Sequence, residues 1–320
     1  MVKLGIWTLD QYLGEGERRR YYGSRVSYAL LDVGGHPSEA QIRAFEDVGF
    51  TLRTSNGTFR TTFRRRFHDV DTASLEWARR LYPAGTALRV QDRAVSNGLT
   101  SWEWAVPLFR DFPEAEFEAS DLLLYLIKLS LPSGETYIVE PGGTPIQYIR
   151  PPFVVSVYHP ESWKYPVNRL VAARARWRFA RLRLPEGWAE SSGGAGFGVT
   201  RIPCVHPEAL ELSKTNPRFR FQERSVFEPT PSACHMLRTM NILNRDYFSD
   251  EQLTAGVKAA FDSLHPGGLW IVGRTLEEDF TNHVTFLRRL ENGWEVLARI
   301  GKGSDIENLA LAAGTRSAPR

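Results

Sequence analysis

The chain has 320 residues, of which 42% are hydrophobic and 24% charged. That balance supports a full core and excludes general disorder. Its 40 basic and 37 acidic residues leave a net charge of +3, too small by itself to imply a nucleic-acid partner. No apolar run reaches the roughly 18 residues of a membrane span, and the first residues lack the apolar core of a signal peptide. Two isolated cysteines, Cys204 and Cys234, fit a reducing cytoplasm. Histidines and cysteines fall at no zinc-ligand spacing, so no metal is expected.

The first 80 residues read as a small α/β extension. Residues 26–33 suggest a strand. Ser38 and Gln41 form a capping-box pattern ahead of Ile42, Phe45 and Val48 at helical spacing. A second helix is expected over 72–81, before Pro83 and Gly85 break the chain. From 87 onward strands and helices alternate: a strand at 87–90, a helix at 100–109, and a strand at 117–121. Further strands are expected at 219–225 and 234–240. Ser249 and Gln252 cap a helix marked by Leu253, Val257, Phe261 and Leu264, and a strand follows at 269–272. Such alternation predicts a parallel sheet with right-handed crossovers. Residues 284–287 and 294–300 flank Asn292-Gly293, a hairpin signal. The fold class is therefore α/β, a Rossmann-like, mostly parallel sheet closed by an antiparallel C-terminal hairpin.

Residues 122–200 interrupt the alternation as a large insertion after the second core strand. They hold short β-like runs, a helix candidate over 161–183 and a glycine-rich close at 193–198. That glycine run lacks a strand before it and a helix after it, so it reads as a linker rather than a phosphate cradle. The division expected is an extension over 1–83, a core over 84–300 carrying the insertion, and a frayed tail over 301–320.

Ligands of parallel sheets bind beyond the carboxyl ends of the strands. Two features occupy that edge: the loop Asp92-Arg-Ala94-Val-Ser96-Asn-Gly98, and Asp121 at the end of the next strand. Small residues let a ligand approach the backbone, the following helix N-terminus offers free N–H groups, and a strand-end acid can accept both hydroxyls of a ribose. Only one glycine stands in the loop, which suits a nucleoside without phosphates better than a dinucleotide.

Asp92-x-Ala94-x-Ser96-x-Gly98 resembles the D-x-G-x-G-x-G motif of class I S-adenosylmethionine-dependent methyltransferases. The resemblance implies that Asp92, Ala94, Ser96 and Gly98 border the cofactor. It also implies that Asp121, with Leu122 beside it, takes the ribose, and that Ser225 and Val226 flank the adenine. Met240 and Asn241 fall near the methyl group, which makes Arg238, Asn241 and Tyr247 the candidate catalytic residues. The stretch from Met240 to Phe248, the capped helix and the Pro-Gly-Gly strand are most similar to the chemotaxis-receptor methyltransferases. Glutamate methylation is not carried over, because the N-terminal segment does not read as their all-helical docking domain. Pro107 falls inside the helix after the loop, where a kink is expected.

The implied activity is methyl transfer from S-adenosylmethionine to an acceptor, small or macromolecular, whose identity is open. Two other classes stand beside it. One is a methyltransferase-fold protein that binds without catalysis, motivated by the replaced loop glycines. The other is a membrane or nucleic-acid binding module built on the insertion helix. That helix carries Lys164 and arginines 169, 174, 176, 178, 181 and 183, with Val171, Ala175, Phe179 and Leu182 as an apolar stripe. Either the stripe packs on a core, or the insertion is a lid that recruits an anionic acceptor or a membrane surface.

Overall fold

Both capping boxes read from the sequence start the helices they announce. In each, a serine hydroxyl accepts the N3 backbone N–H and the N3 glutamine reaches back, at Ser38 with Gln41 and at Ser249 with Gln252. The computed structural model describes residues 3–55, 60, 62–158, 165–190, 193–194 and 196–314. In chain order the elements are α1 (Leu9–Gly14), α2 (Glu39–Thr51), α3 (His68–Leu81), β1 (Arg89–Arg93), α4 (Leu99–Asp111), β2 (Glu116–Asp121), β3 (Tyr125–Ser130), β4 (Thr136–Val139), β5 (Pro145–Arg150) and β6 (Phe153–Ser156). They continue as α5 (Pro166–Phe179), β7 (Gly193–Gly194), β8 (Phe197–Pro203), α6 (Pro207–Thr215), β9 (Phe219–Glu223), β10 (Cys234–Met240), α7 (Asp250–Ser263), β11 (Leu264–Thr275), β12 (Asn282–Leu290), β13 (Gly293–Ile300) and α8 (Glu307–Gly314).

The chain forms two compact units, one of 1–63 with 123–207 and the other of 64–122 with 208–320. The second unit carries a seven-stranded sheet in the order β13-β12-β11-β10-β1-β2-β9. From β11 across to β9 every pairing is parallel. β12 and β13 then pair antiparallel, through the turn at Asn292-Gly293. This is the Rossmann-like sheet with its closing hairpin. Apolar side chains from α7, α8 and the strands between them, among them Val257, Trp270, Leu287 and Trp294, form one core. Trp104 of α4 meets Phe117 edge-on, and Phe117 stacks on Phe219. α4 runs on through Pro107 without ending.

The first unit is built on a six-stranded antiparallel sheet, β6-β5-β4-β3-β8-β7. The N-terminal segment covers one side through Ile6, Tyr12, Phe45 and Val48. On the other, α5 packs Ala172 and Ala175, with Val171, Phe179 and Leu182 partly buried. The stripe of the arginine helix therefore packs on a core. Glu135 anchors it: this fully buried carboxylate accepts from Tyr148 Oη at 2.7 Å and pairs with Arg178 of α5 at 2.8 Å. The glycine-rich run is a hairpin, Gly193–Gly194 against Phe197–Pro203. The expected helix start at Glu161 and Lys164 lie outside the described residues.

Four expectations need correction. Residues 26–33 are not a strand: Tyr28–Leu31 is a 3-10 helix, and only an Ile6–Val26 bridge remains. The buried side chain of Gln147 takes the place of a ladder there. It accepts from Tyr28 N–H at 2.8 Å and donates to the Val26 carbonyl at 2.8 Å. The N-terminal segment ends its unit at 63 rather than 83, since α3 belongs to the unit of the parallel sheet. The residues after 300 are not all frayed, because α8 forms and Ile306 and Ala310 are buried in the core. Finally, Pro266-Gly267-Gly268 lies within β11 rather than before it, at an irregularity in the β10–β11 register.

Candidate active site

The strand order reverses at β1, with β2 and β9 on one side of it and β10 and β11 on the other. A crevice at the carboxyl edge of β1 and β10 is where such sheets bind ligands. The loop leaving β1 there has left-handed backbone at three alternate positions, Ala94 (φ 57°), Ser96 (φ 58°) and Gly98 (φ 74°). For a residue with a Cβ that conformation costs about 1–2 kcal/mol. Ala94 and Ser96 adopt it nonetheless, at the positions where the resembled motif has glycine. Gly98 is required twice over, since a Cβ there would lie 2.6 Å from the ring of Phe221.

Three strand ends close on this loop. The Ser120 carbonyl of β2 accepts from Val95 N–H at 3.2 Å, and Asp121 Oδ2 accepts from Ser96 N–H at 2.8 Å. The backbone N–H of Arg224, just past β9, donates to the Asp121 carbonyl at 3.2 Å. Ser225 and Val226 follow, and the Val226 carbonyl accepts from buried Arg93 at 3.5 Å. On the far side Met240 ends β10 and is buried. Asn241, left-handed at φ 62°, is pinned to β11: its N–H donates to the Gly273 carbonyl at 2.9 Å and its Oδ1 accepts from Thr275 N–H at 2.6 Å. Ala94 and Val226 share one apolar cluster with Ile242 and Phe248. The structure thus brings Ala94, Ser96, Gly98, Asp121, Ser225, Val226, Met240 and Asn241 to one edge.

Asp92 and Arg238 stand differently. They are register partners on adjacent parallel strands and face the same side of the sheet. Arg238 Nε donates to Asp92 Oδ1 at 3.0 Å, and Nη2 pairs with Asp92 Oδ2. Ser101 Oγ donates to the same Oδ2 at 2.7 Å. Nη1 pairs with Asp71 of α3, and the guanidinium lies 4.5 Å from the Trp104 ring centroid. Arg238 has no exposed surface and Asp92 only 3%. Both oxygens of Asp92 are occupied within the protein, and Arg238 cannot reach an acceptor. The expectation that Asp92 borders the cofactor and Arg238 acts in catalysis is corrected to a buried network that positions the loop.

Burial pushes the Asp71 carboxyl up from 3.8 to about 7; Arg238 opposes this and the Asp92 carboxylate adds to it. One guanidinium serves two carboxylates, and Asp92 takes its bidentate side. Asp71, raised by burial to about 7, therefore holds a proton up to near neutral pH.

Tyr247 lies before α7 and is half-exposed, while Leu122 is largely exposed just past β2. Sequence reasoning missed Asp71, and it missed a second polar knot at the same edge. There Thr275 Oγ1 accepts from Arg66 Nε at 3.2 Å and donates to Asn282 Oδ1 at 2.9 Å, while Asn282 Nδ2 donates to Asp69 Oδ1 at 2.7 Å. The only signal for Asp71 was an acid on the apolar side of a helix. His235 sits at the start of β10, away from this edge, and its Nδ1 accepts from Arg89 N–H at 3.0 Å.

No family model matches the chain, and no curated protein matches it. Among solved structures it is similar to the CMeT domain of the citrinin polyketide synthase at 12% identity and a TM-score of 0.35, covering 84% of this chain and 48% of that one. It is also similar to an amino pentose methyltransferase of calicheamicin biosynthesis from Micromonospora echinaspora, at 13% identity and a TM-score of 0.32, covering 78% and 82%. A third likeness is to the mitomycin 7-O-methyltransferase, at 11% identity and a TM-score of 0.30, covering 84% and 43%. The chain spans about half the length of the first of these.

Proposed function

We propose that the second unit binds S-adenosylmethionine at the carboxyl edge of β1, β2, β9 and β10 and transfers its methyl group to an acceptor. The observation that carries this reading is the left-handed backbone at Ala94, Ser96 and Gly98, between the first parallel strand and its helix and joined to Asp121. Backbone strain of this kind persists where surrounding structure and function require it. The fit of the residues to the cofactor rests on that cradle together with a strand-end carboxylate.

In this reading the loop at Ala94, Ser96 and Gly98 takes the methionine end. Asp121 takes the ribose hydroxyls, with Leu122 beside it, and Ser225 and Val226 border the adenine. Asp92 and Arg238 hold the loop from beneath. When bound, the cofactor supplies an electrophilic methyl group on a sulfonium, so the protein's contribution is orientation and exclusion of water more than proton transfer. Met240 and Asn241 stand where the acceptor would approach; the Asn241 backbone is held by its N–H donating to the Gly273 carbonyl, and its side-chain amide by Oδ1 accepting from Thr275 N–H. Tyr247, at the same edge, is the candidate acceptor contact.

A binding protein without turnover was suggested by the replaced glycines. The left-handed backbone at Ala94 and Ser96 supports cofactor binding in either reading, and turnover separates the two. The similarity of 240–273 to the chemotaxis-receptor branch concerns this same edge and leaves the acceptor open. Calorimetry with S-adenosylhomocysteine tests the site, and transfer of labelled methyl from S-adenosylmethionine tests turnover. Absence of binding would overturn the reading.

A further inference from the structure

We propose that the outward face of α5 is a docking surface for an anionic phospholipid membrane. At about 100° per residue, the exposed residues Pro166, Leu170, Ala173, Trp177 and Ala180 fall in one stripe about 80° wide. Arg169 lies on one side of it, and Arg174 and Arg181 on the other. Leu170 is 70% exposed and Trp177 57%. The inner face of the same helix is already satisfied, by Ala172 and Ala175 in the core and by Arg178 on Glu135. The outer stripe therefore plays no part in packing α5 on its sheet. Isolated exposed apolar residues need no explanation, but a continuous stripe rimmed by one sign of charge marks an interaction surface.

Charge identifies the partner. Residues 165–185 contain six arginines and no acid. Arg176 donates to the Val157 carbonyl and Arg178 pairs with Glu135, so these two face inward. The side chains of Arg169, Arg174 and Arg183 make no hydrogen bond or ion pair among the described residues, although the Arg169 backbone N–H donates to the Tyr165 carbonyl at 2.9 Å. The Arg181 guanidinium lies 3.9 Å from the Trp177 ring centroid. An indole ring carrying a cation suits the headgroup layer, where an apolar body and a charge are both accommodated. Leu170, Pro166 and Ala173 would find no partner on a hydrated phosphodiester backbone, which favours lipid over nucleic acid. Among the described residues no helix is long and apolar enough to cross a membrane, so the contact is interfacial.

The test is co-sedimentation of the full chain with vesicles of phosphatidylcholine alone and of phosphatidylcholine with about one third phosphatidylglycerol. Binding is expected only to the anionic vesicles, and it should weaken at high salt. Leu170→Ser with Trp177→Ser, and separately Arg169→Glu with Arg174→Glu, should each lower it about tenfold or more. The charge-matched control Arg110→Glu with Lys302→Glu should retain it. All these side chains are exposed, so circular dichroism should be unchanged. Hydrogen exchange across 166–181 should slow when anionic vesicles are added to the unaltered protein. No binding to anionic vesicles, or binding that both α5 variants retain, overturns the proposal. So does a single-stranded oligonucleotide that binds through the same residues and displaces the protein from vesicles.

Discussion

The backbone N–H of Ser96 donates to Oδ2 of Asp121 at 2.8 Å. The loop that leaves β1 and the carboxylate that ends β2 are thereby one piece of geometry. Asp121→Ala removes the proposed ribose acceptor and the loop's anchor together. Affinity for S-adenosylhomocysteine should fall by about 1.5–3 kcal/mol, the range for hydrogen bonds to a charged group. Calorimetry reads the change, and unaltered affinity would refute the assignment.

The loop conformation makes a second prediction, of opposite sign at neighbouring positions. Ala94→Gly and Ser96→Gly relieve left-handed strain and should each raise unfolding free energy by about 1 kcal/mol in urea melts. Gly98→Ala places a Cβ against Phe221 and should lower it by about 1–3 kcal/mol. Destabilisation by both glycine variants would contradict the backbone described.

The buried network should make stability depend on pH. The Asp71 carboxyl is raised from 3.8 to about 7 by burial. Between about pH 4 and pH 7 the folded protein therefore keeps a proton that the unfolded chain has released. Stability should fall as pH rises through that window and level off above it. Asp71→Asn should flatten this slope in urea melts taken across the window. Arg238→Met should cost about 3–5 kcal/mol at neutral pH, because it leaves two buried carboxylates without their cation. A slope that Asp71→Asn leaves intact would assign the titration to another group.

The last helix supplies a fourth prediction. Ile306 is fully buried, and Glu307 accepts from Thr285 at 2.8 Å and pairs with Arg299 at 2.6 Å. Ile306→Ala should cost about 2–5 kcal/mol. A loss within a few tenths would mean that the segment contributes nothing to the core.

What could be read from the sequence followed from locality. The capping boxes, the Asn292-Gly293 turn and the apolar runs of β10 and β12 act within a few residues, and each is where the pattern puts it. The strand expected over 26–33 failed because Gln147, more than a hundred residues away, satisfies that backbone. α8 was missed because its apolar residues gain meaning only against α7 and β13. At the site, the motif positions were visible, but the partner of Asp92 was not: Arg238 meets it only once β1 and β10 are paired. Likewise Asp71 is an ordinary helix acid until burial makes it hold a proton.

The insertion is clasped at its root. β3 and β8 pair from Ser130 with Gly198 up to Tyr125 with Pro203, and Cys204 N–H donates to the Leu124 carbonyl at 2.9 Å. About eighty residues thus leave and return through two adjacent backbones. For β2 and β9, whose pairing joins Phe117 to Phe219, the excursion behaves as a short tether once that clasp has closed, and little loop-closure entropy remains. The outermost parallel strand consequently depends on a sheet to which it does not belong. Synthesis from the N-terminus completes that sheet before β9 emerges. A circular permutant opened between β3 and β8 loses this tether, so its refolding, read by stopped flow, should be slower than that of the unaltered chain.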